Sequence, residues 1–184
     1  MRGYGASDLA RSFRVVRANT VRVAKDLPEE HYAFCAAPDV RSAAEMLAHV
    51  AVAPRWQRRA HSDRMLSFDF KFFAGTFERA RAEEATLTTK DALVKVLEEE
   101  GEMFASWLET LSDEVLDERV EFKPPASPPS KTRFEMLLSV KEHEMHHRAQ
   151  LMLIERLLGI VPHITAGREA AMAKRRQQQQ SAGA

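Results

Sequence analysis

TRFEMLLSVKEHEMHHRAQLMLIERLLG, residues 132–159, reads as one long amphipathic helix with both of its ends marked. Thr132-Arg-Phe-Glu135 is a capping box, in which a threonine hydroxyl and a glutamate satisfy the exposed backbone donors of a first turn. Gly159, with Pro162 shortly after, supplies the stop. Between them Met136, Val140, His143, His147, Leu151, Ile154 and Leu158 recur at steps of three and four, the spacing of a single apolar stripe. Two histidines stand where the period asks for apolar side chains. Four residues apart on a helix, their Cβ atoms lie roughly 6 Å from one another, close enough to grip one metal ion. Pairs at this spacing also arise with each ring bonded to a neighbour or to solvent. The stripe favours the metal, because an unsatisfied polar ring among Val140, Leu151 and Ile154 costs about 1 to 3 kcal/mol.

Working outward, three further helical runs are legible. Leu9, Phe13, Val16, Thr20, Val23 and Leu27 form a stripe over residues 7–27, ended by Pro28. A second capping box, Ser42-Ala-Ala-Glu45, opens a helix through Met46, Leu47, His49, Val50, Val52 and Trp56. Pro54 inside it lacks a donor and clashes with the carbonyl of Val50, which predicts a kink one turn past His49. A third run from about Thr89 to Leu111 carries Leu93, Leu97, Phe104, Trp107 and Leu111, with Glu100 as its polar exception. That glutamate either orients a water at the site or turns outward, and the outward placement is the plainer one. His49, if its helix neighbours residues 132–159, gives a third imidazole, and three imidazoles leave coordination positions open, as catalytic sites do. Imidazole suits zinc, nickel or ferrous iron, and spacing does not choose among these divalent ions.

The connecting segments are less regular. Residues 65–77 hold five phenylalanines, and Phe68-Asp-Phe-Lys-Phe72 alternates like a strand; the expectation is an irregular or partly helical crossover whose aromatics cover one end of the bundle. Lys123–Ser130 has four prolines in eight residues and reads as a stiff connector. Residues 1–166 form the domain, and 167–184, basic and Gln-rich, a flexible tail outside the core.

Composition narrows the function classes. At 184 residues and 45% apolar the chain builds one core. Lysine plus arginine equal aspartate plus glutamate at 27 each, so no overall field draws it to nucleic acid or an anionic membrane. Lys174-Arg-Arg176 is too small a footprint to change that. No segment approaches the roughly 18 apolar residues that a bilayer span needs, and no secretory leader is recognised, so the expected location is the cytoplasm. A single cysteine, Cys35, rules out an internal disulfide or a thiolate cluster, and is expected to be a small buried residue between the first two helices. His31 and His61, unpaired in sequence, are expected at the surface.

Leu47-Ala-His49, followed by His143-Glu-Met-His-His147-Arg148-Ala-Gln150 and Leu157-Leu-Gly-Ile-Val-Pro162, resembles the DinB/YfiT-like family over most of residues 7–163. The resemblance implies an all-α four-helix bundle in up-down-down-up order. It also implies a divalent metal on His49, His143 and His147, and a homodimer. It further implies a small cellular thiol and an electrophilic small-molecule substrate, since the family includes thiol-dependent transferases and isomerases. Where the family often has glycine before the glutamine, this chain has Ala149, a better helix former. Arg148 and Gln150 are candidates to hold the ligand rings, with an ion pair to a neighbouring acid the plainer role for Arg148; His146 is a flanking residue.

Two other readings stand beside this one. His143-Glu144-Met-His-His147 satisfies the H-E-x-x-H pattern of zinc proteases, with Glu144 as general base and Glu155 or His163 as downstream ligand. The absence of a strand set for a substrate edge weighs against it. The other is a non-enzymatic, metal-binding dimeric bundle.

Overall fold

The computed structural model describes residues 3–182. Four long helices make the bundle: α1 (Ala6–Asp26), α2 (Ala43–Ser62), α4 (Lys90–Glu109) and α6 (Arg133–Leu157). Between α2 and α4 lie a short strand β1 (Ser67–Phe68) and helix α3 (Phe70–Glu84). Between α4 and α6 lie the one-turn helix α5 (Asp113–Asp117) and strands β2 (Arg119–Phe122) and β3 (Ser130–Thr132). A final helix, α7, runs His163–Ala182.

Both capping boxes form. Ser42 Oγ accepts from the Glu45 amide at 3.2 Å while Glu45 accepts from the Ser42 amide at 2.7 Å. Thr132 and Glu135 do the same at 3.1 and 2.6 Å. Gly159, at φ +78°, ends α6 in the left-handed region that favours glycine.

Helix directions follow from which residues meet. Phe13 stacks edge-on to Phe104 and Lys25 pairs with Glu98, so α1 and α4 are antiparallel. Arg17 pairs with Glu144 while His163, just past α6, meets Asn19, so α1 and α6 are parallel. His49 meets His143 and His61 meets Arg133, which makes α2 antiparallel to α6. The order is therefore up-down-down-up. The apolar stripes face inward, with Leu47, Leu93, Leu97 and Leu151 filling one half of the core. Phe13, Phe104, Leu108 and Leu137 fill the other.

One charged cluster crosses that core. Arg17, 4% exposed, donates to both oxygens of Glu144 at 2.9 and 3.1 Å, to Leu97 O at 2.9 Å and to Val50 O at 3.1 Å. All four bundle helices thus meet at one guanidinium. Pro54 explains the last bond: with no N–H at position 54, the Val50 carbonyl lacks its helical donor, and Arg17 supplies one. α2 runs through Pro54 as one element. Gly101 makes room, since a Cβ there would lie 2.5 Å from Arg17 Cγ.

The crossover differs from its expectation. Of the irregular or partly helical run expected, residues 67–84 take the helical form and add a short strand before it, with Asp69 capping α3 through the Phe72 amide. β1 pairs parallel to β2, and β2 antiparallel to β3, in a three-stranded sheet. Phe68, 1% exposed, packs with Val120 and Met136 beneath it. Cys35, expected to be buried, is exposed. His61, expected at the surface, is 1% exposed and fully bonded. Residues 167–181, expected as a flexible tail, continue α7 as exposed helix. Among the described residues no helix is long and apolar enough to cross a membrane.

Candidate metal centre

α2 and α6 run side by side where the guanidinium of Arg17 ties Val50 to Glu144, and the residues one step before each are His49 and His143. That tie fixes the two helices at the level of the rings. His49 Nε2 and His143 Nε2 approach to 3.1 Å, and His147 Nε2 and His143 Nε2 to 3.2 Å. All three lie within 4.8 Å of one another, a group that could hold a metal ion.

The outer nitrogens decide what these inner ones present. Glu84, from α3, accepts from His49 Nδ1 at 2.8 Å, and Gln150 Oε1 accepts from His147 Nδ1 at 2.8 Å. A neutral imidazole carries one proton, so committing it to Nδ1 leaves a lone pair on Nε2. Two lone pairs therefore face a third ring nitrogen. Burial, reinforced by His147 and His49, holds His143 down at about 4, and burial also lowers His147, so both rings are neutral near pH 7. Two nitrogens each about 2.0–2.1 Å from one ion at a tetrahedral angle would be separated by about 3.3 Å. The His49–His143 and His143–His147 spacings are close to that and the third pair lies within 4.8 Å, so the donor set fits a divalent cation.

The rings sit at the edge of the core, half-buried, and not in its apolar centre. Beside them opens a cavity of about 340 Å³ between α2, α3 and α6, lined at one end by His49, His143 and Glu84.

Other candidate residues fall elsewhere. Glu144 is 2% exposed with both oxygens bonded to Arg17, so it is not free to act as a base at the rings. Among the described residues Arg148 has no ion-pair partner, and it directs Nη1 to Val16 O at 3.5 Å. His146 packs edge-on to His147 at 5.0 Å. Glu100 does not turn outward: it pairs with Arg55 at 2.9 Å, as Glu83 does at 2.8 Å. Glu155 and His163 lie away from the rings, Glu155 with both oxygens buried and unbonded and His163 against Asn19 at 2.9 Å. Glu84 was missed, since nothing in the residues 70–84 pattern sets one carboxylate apart.

Residues 12–151 match the family model of the DinB superfamily. The chain belongs to the DinB superfamily. Among solved structures it is similar to a DinB-like protein, YjoA, from Bacillus subtilis, at 21% identity and TM-score 0.61, covering 82% of this chain and 91% of that one. It is also similar to YfiT from Bacillus subtilis, described as a probable metal-dependent hydrolase with an unusual four-helix bundle topology. That likeness has 14% identity and TM-score 0.64, covering 84% of this chain and 88% of YfiT. Both likenesses speak to the fold. Comparison with curated proteins gave no match.

Proposed function

We propose that this DinB-superfamily chain is a metal-dependent enzyme of hydrolase type, its divalent ion held by His49, His143 and His147. The observation that carries the reading is the convergence of three ring nitrogens beside an open cavity, two of them fixed as lone-pair donors by Glu84 and Gln150. A closed structural site would have a fourth protein ligand, and His/Cys/Asp/Glu among the described residues supply no fourth. When bound, such an ion polarises a carbonyl and lowers the pKa of a nucleophile, water or a small thiol.

The protein's own part is positional. Glu84 holds the His49 proton and keeps that ring turned to the centre; Gln150 does the same for His147. Val52 and Trp56 give the cavity that opens beside the rings an apolar wall. YfiT's description as a probable metal-dependent hydrolase agrees with this reading.

The test is elemental analysis of the purified protein beside His49→Ala and His147→Ala, followed by hydrolysis of a simple aryl ester with and without chelator. The parent should hold close to one divalent ion per chain and lose ester hydrolysis when it is removed, and both variants should lose the ion. A parent without bound metal overturns the reading. So does a His49→Ala protein that keeps its ion, which would return the site to α6 alone, as in an H-E-x-x-H protease.

A further inference from the structure

The cavity beside the rings has a second end, and a buried chain of hydrogen bonds fixes its chemistry. Arg133, 0% exposed, brings Nη1 to 2.8 Å from His61 Nδ1. A guanidinium only donates, so His61 Nδ1 accepts and the ring proton sits on Nε2. From there it donates to Gln57 Oε1 at 3.0 Å. The amide oxygen of Gln57 is thereby committed inward, and the amide nitrogen is what remains. Among the described residues that nitrogen has no hydrogen-bond partner, and Gln57 lines the cavity. Glu118 balances the charge of Arg133 at 2.8 Å, so the donor at this end is a neutral NH₂ and not a cation.

The rest of the lining is apolar, with Val52, Ala53 and Trp56 of α2, Phe77 and Ala80 of α3, and Val140 of α6, except for Ser139, whose hydroxyl proton is committed to Met136 O at 2.6 Å. Gln57 lies eight residues beyond His49 on α2, about 12 Å along the helix axis. At about 340 Å³ the space is at the small end of ligand sites. Among the described residues the one carboxylate on its wall is Glu84, which stands at the histidine end and disfavours an anion there.

We infer that this cavity binds a small uncharged carbonyl compound with an aromatic or branched apolar body, one acceptor oxygen taken by the Gln57 amide and the other end laid against His49 and His143. Gln57 is then the residue that separates carbonyl compounds from hydrocarbons of the same shape. The inference rests on the metal-dependent reading only for what happens at the histidine end, so binding is tested separately from the metal.

The experiment is an NMR titration of the full chain, followed at the Trp56 indole N–H, with acetophenone, its near-isostere α-methylstyrene, and benzoate. It is run on metal-free protein and again after adding Zn²⁺, with the zinc-induced shifts of the histidine ring signals recorded separately. Gln57→Glu keeps the acceptor for His61 but removes the NH₂ donor; the ratio of acetophenone to α-methylstyrene affinity should fall about fivefold in it. Ala80→Trp fills the cavity from α3 and should abolish binding of both, while leaving the bundle helices untouched. An unchanged ratio in Gln57→Glu overturns the inference. Tighter binding of benzoate than of acetophenone also overturns it, in favour of an anion site, as does a Trp56 signal that no probe moves. Histidine shifts without probe binding would sink this inference and leave the metal site standing; the reverse result would sink the metal reading alone.

Discussion

Glu84 reaches His49 from a helix outside the bundle, and its carboxylate is the partner that orients the ring. Glu84→Gln keeps the shape but weakens the bond, and partners of this kind cost about 10- to 100-fold in metal affinity when lost. Competition against a chelator should show that drop with the unfolding midpoint little changed. A second residue-scale expectation concerns Glu155, which burial, with help from Asp26, pushes up to about 7. The folded chain then keeps a proton at a pH where the unfolded chain has lost it, so stability tied to that proton is intact below the ordinary glutamate value and lost as pH rises through about 7. Glu155→Gln should therefore raise the melting temperature at pH 8 and bring little change near pH 4, measured by thermal unfolding across pH. The histidines of α6 were legible because they interrupt an apolar period. Glu84 was not, being one carboxylate among many exposed ones. Arg17 had a signal that went unread: it stands between Phe13 and Thr20 on the buried face of α1, where a charge needs a partner.

The four bundle helices declare themselves by period, capping boxes and stops, because those signals are local. The sheet could not be read the same way. Its strands have two, four and three residues; β1 is a strand only because Ser67 and Phe68 meet Glu121 and Phe122 across more than fifty positions of chain, and β3 only because it folds back on β2 past the prolines. Pro54 shows the same limit from the other side: the carbonyl it leaves without a helical donor is visible in the sequence, but the donor that serves it comes from another helix. Arg17→Met should cost about 3 to 5 kcal/mol in denaturant unfolding, because Glu144 stays buried without its countercharge. Arg17→Met/Glu144→Leu should recover most of that loss, which separates the cost of an orphaned charge from the worth of the pair.

Across the whole molecule, the family model and the bundle agree on where the packed unit lies. Beyond Ala166, every described side chain of α7 is exposed. Removing residues 167–184 should change unfolding free energy by less than about 0.5 kcal/mol and leave zinc titration unaltered, checked by calorimetry on the shortened chain. The up-down-down-up order has a further effect. Because α2 and α4 point the same way, the chain must travel the full length of the bundle between them, and α3 is that return journey. One flank of the ligand chamber is therefore a detour of the polypeptide and not a pillar of the fold. A sequence can recontour that flank, and with it the shape of molecule admitted, while the pillars that carry the three imidazoles stay as they are.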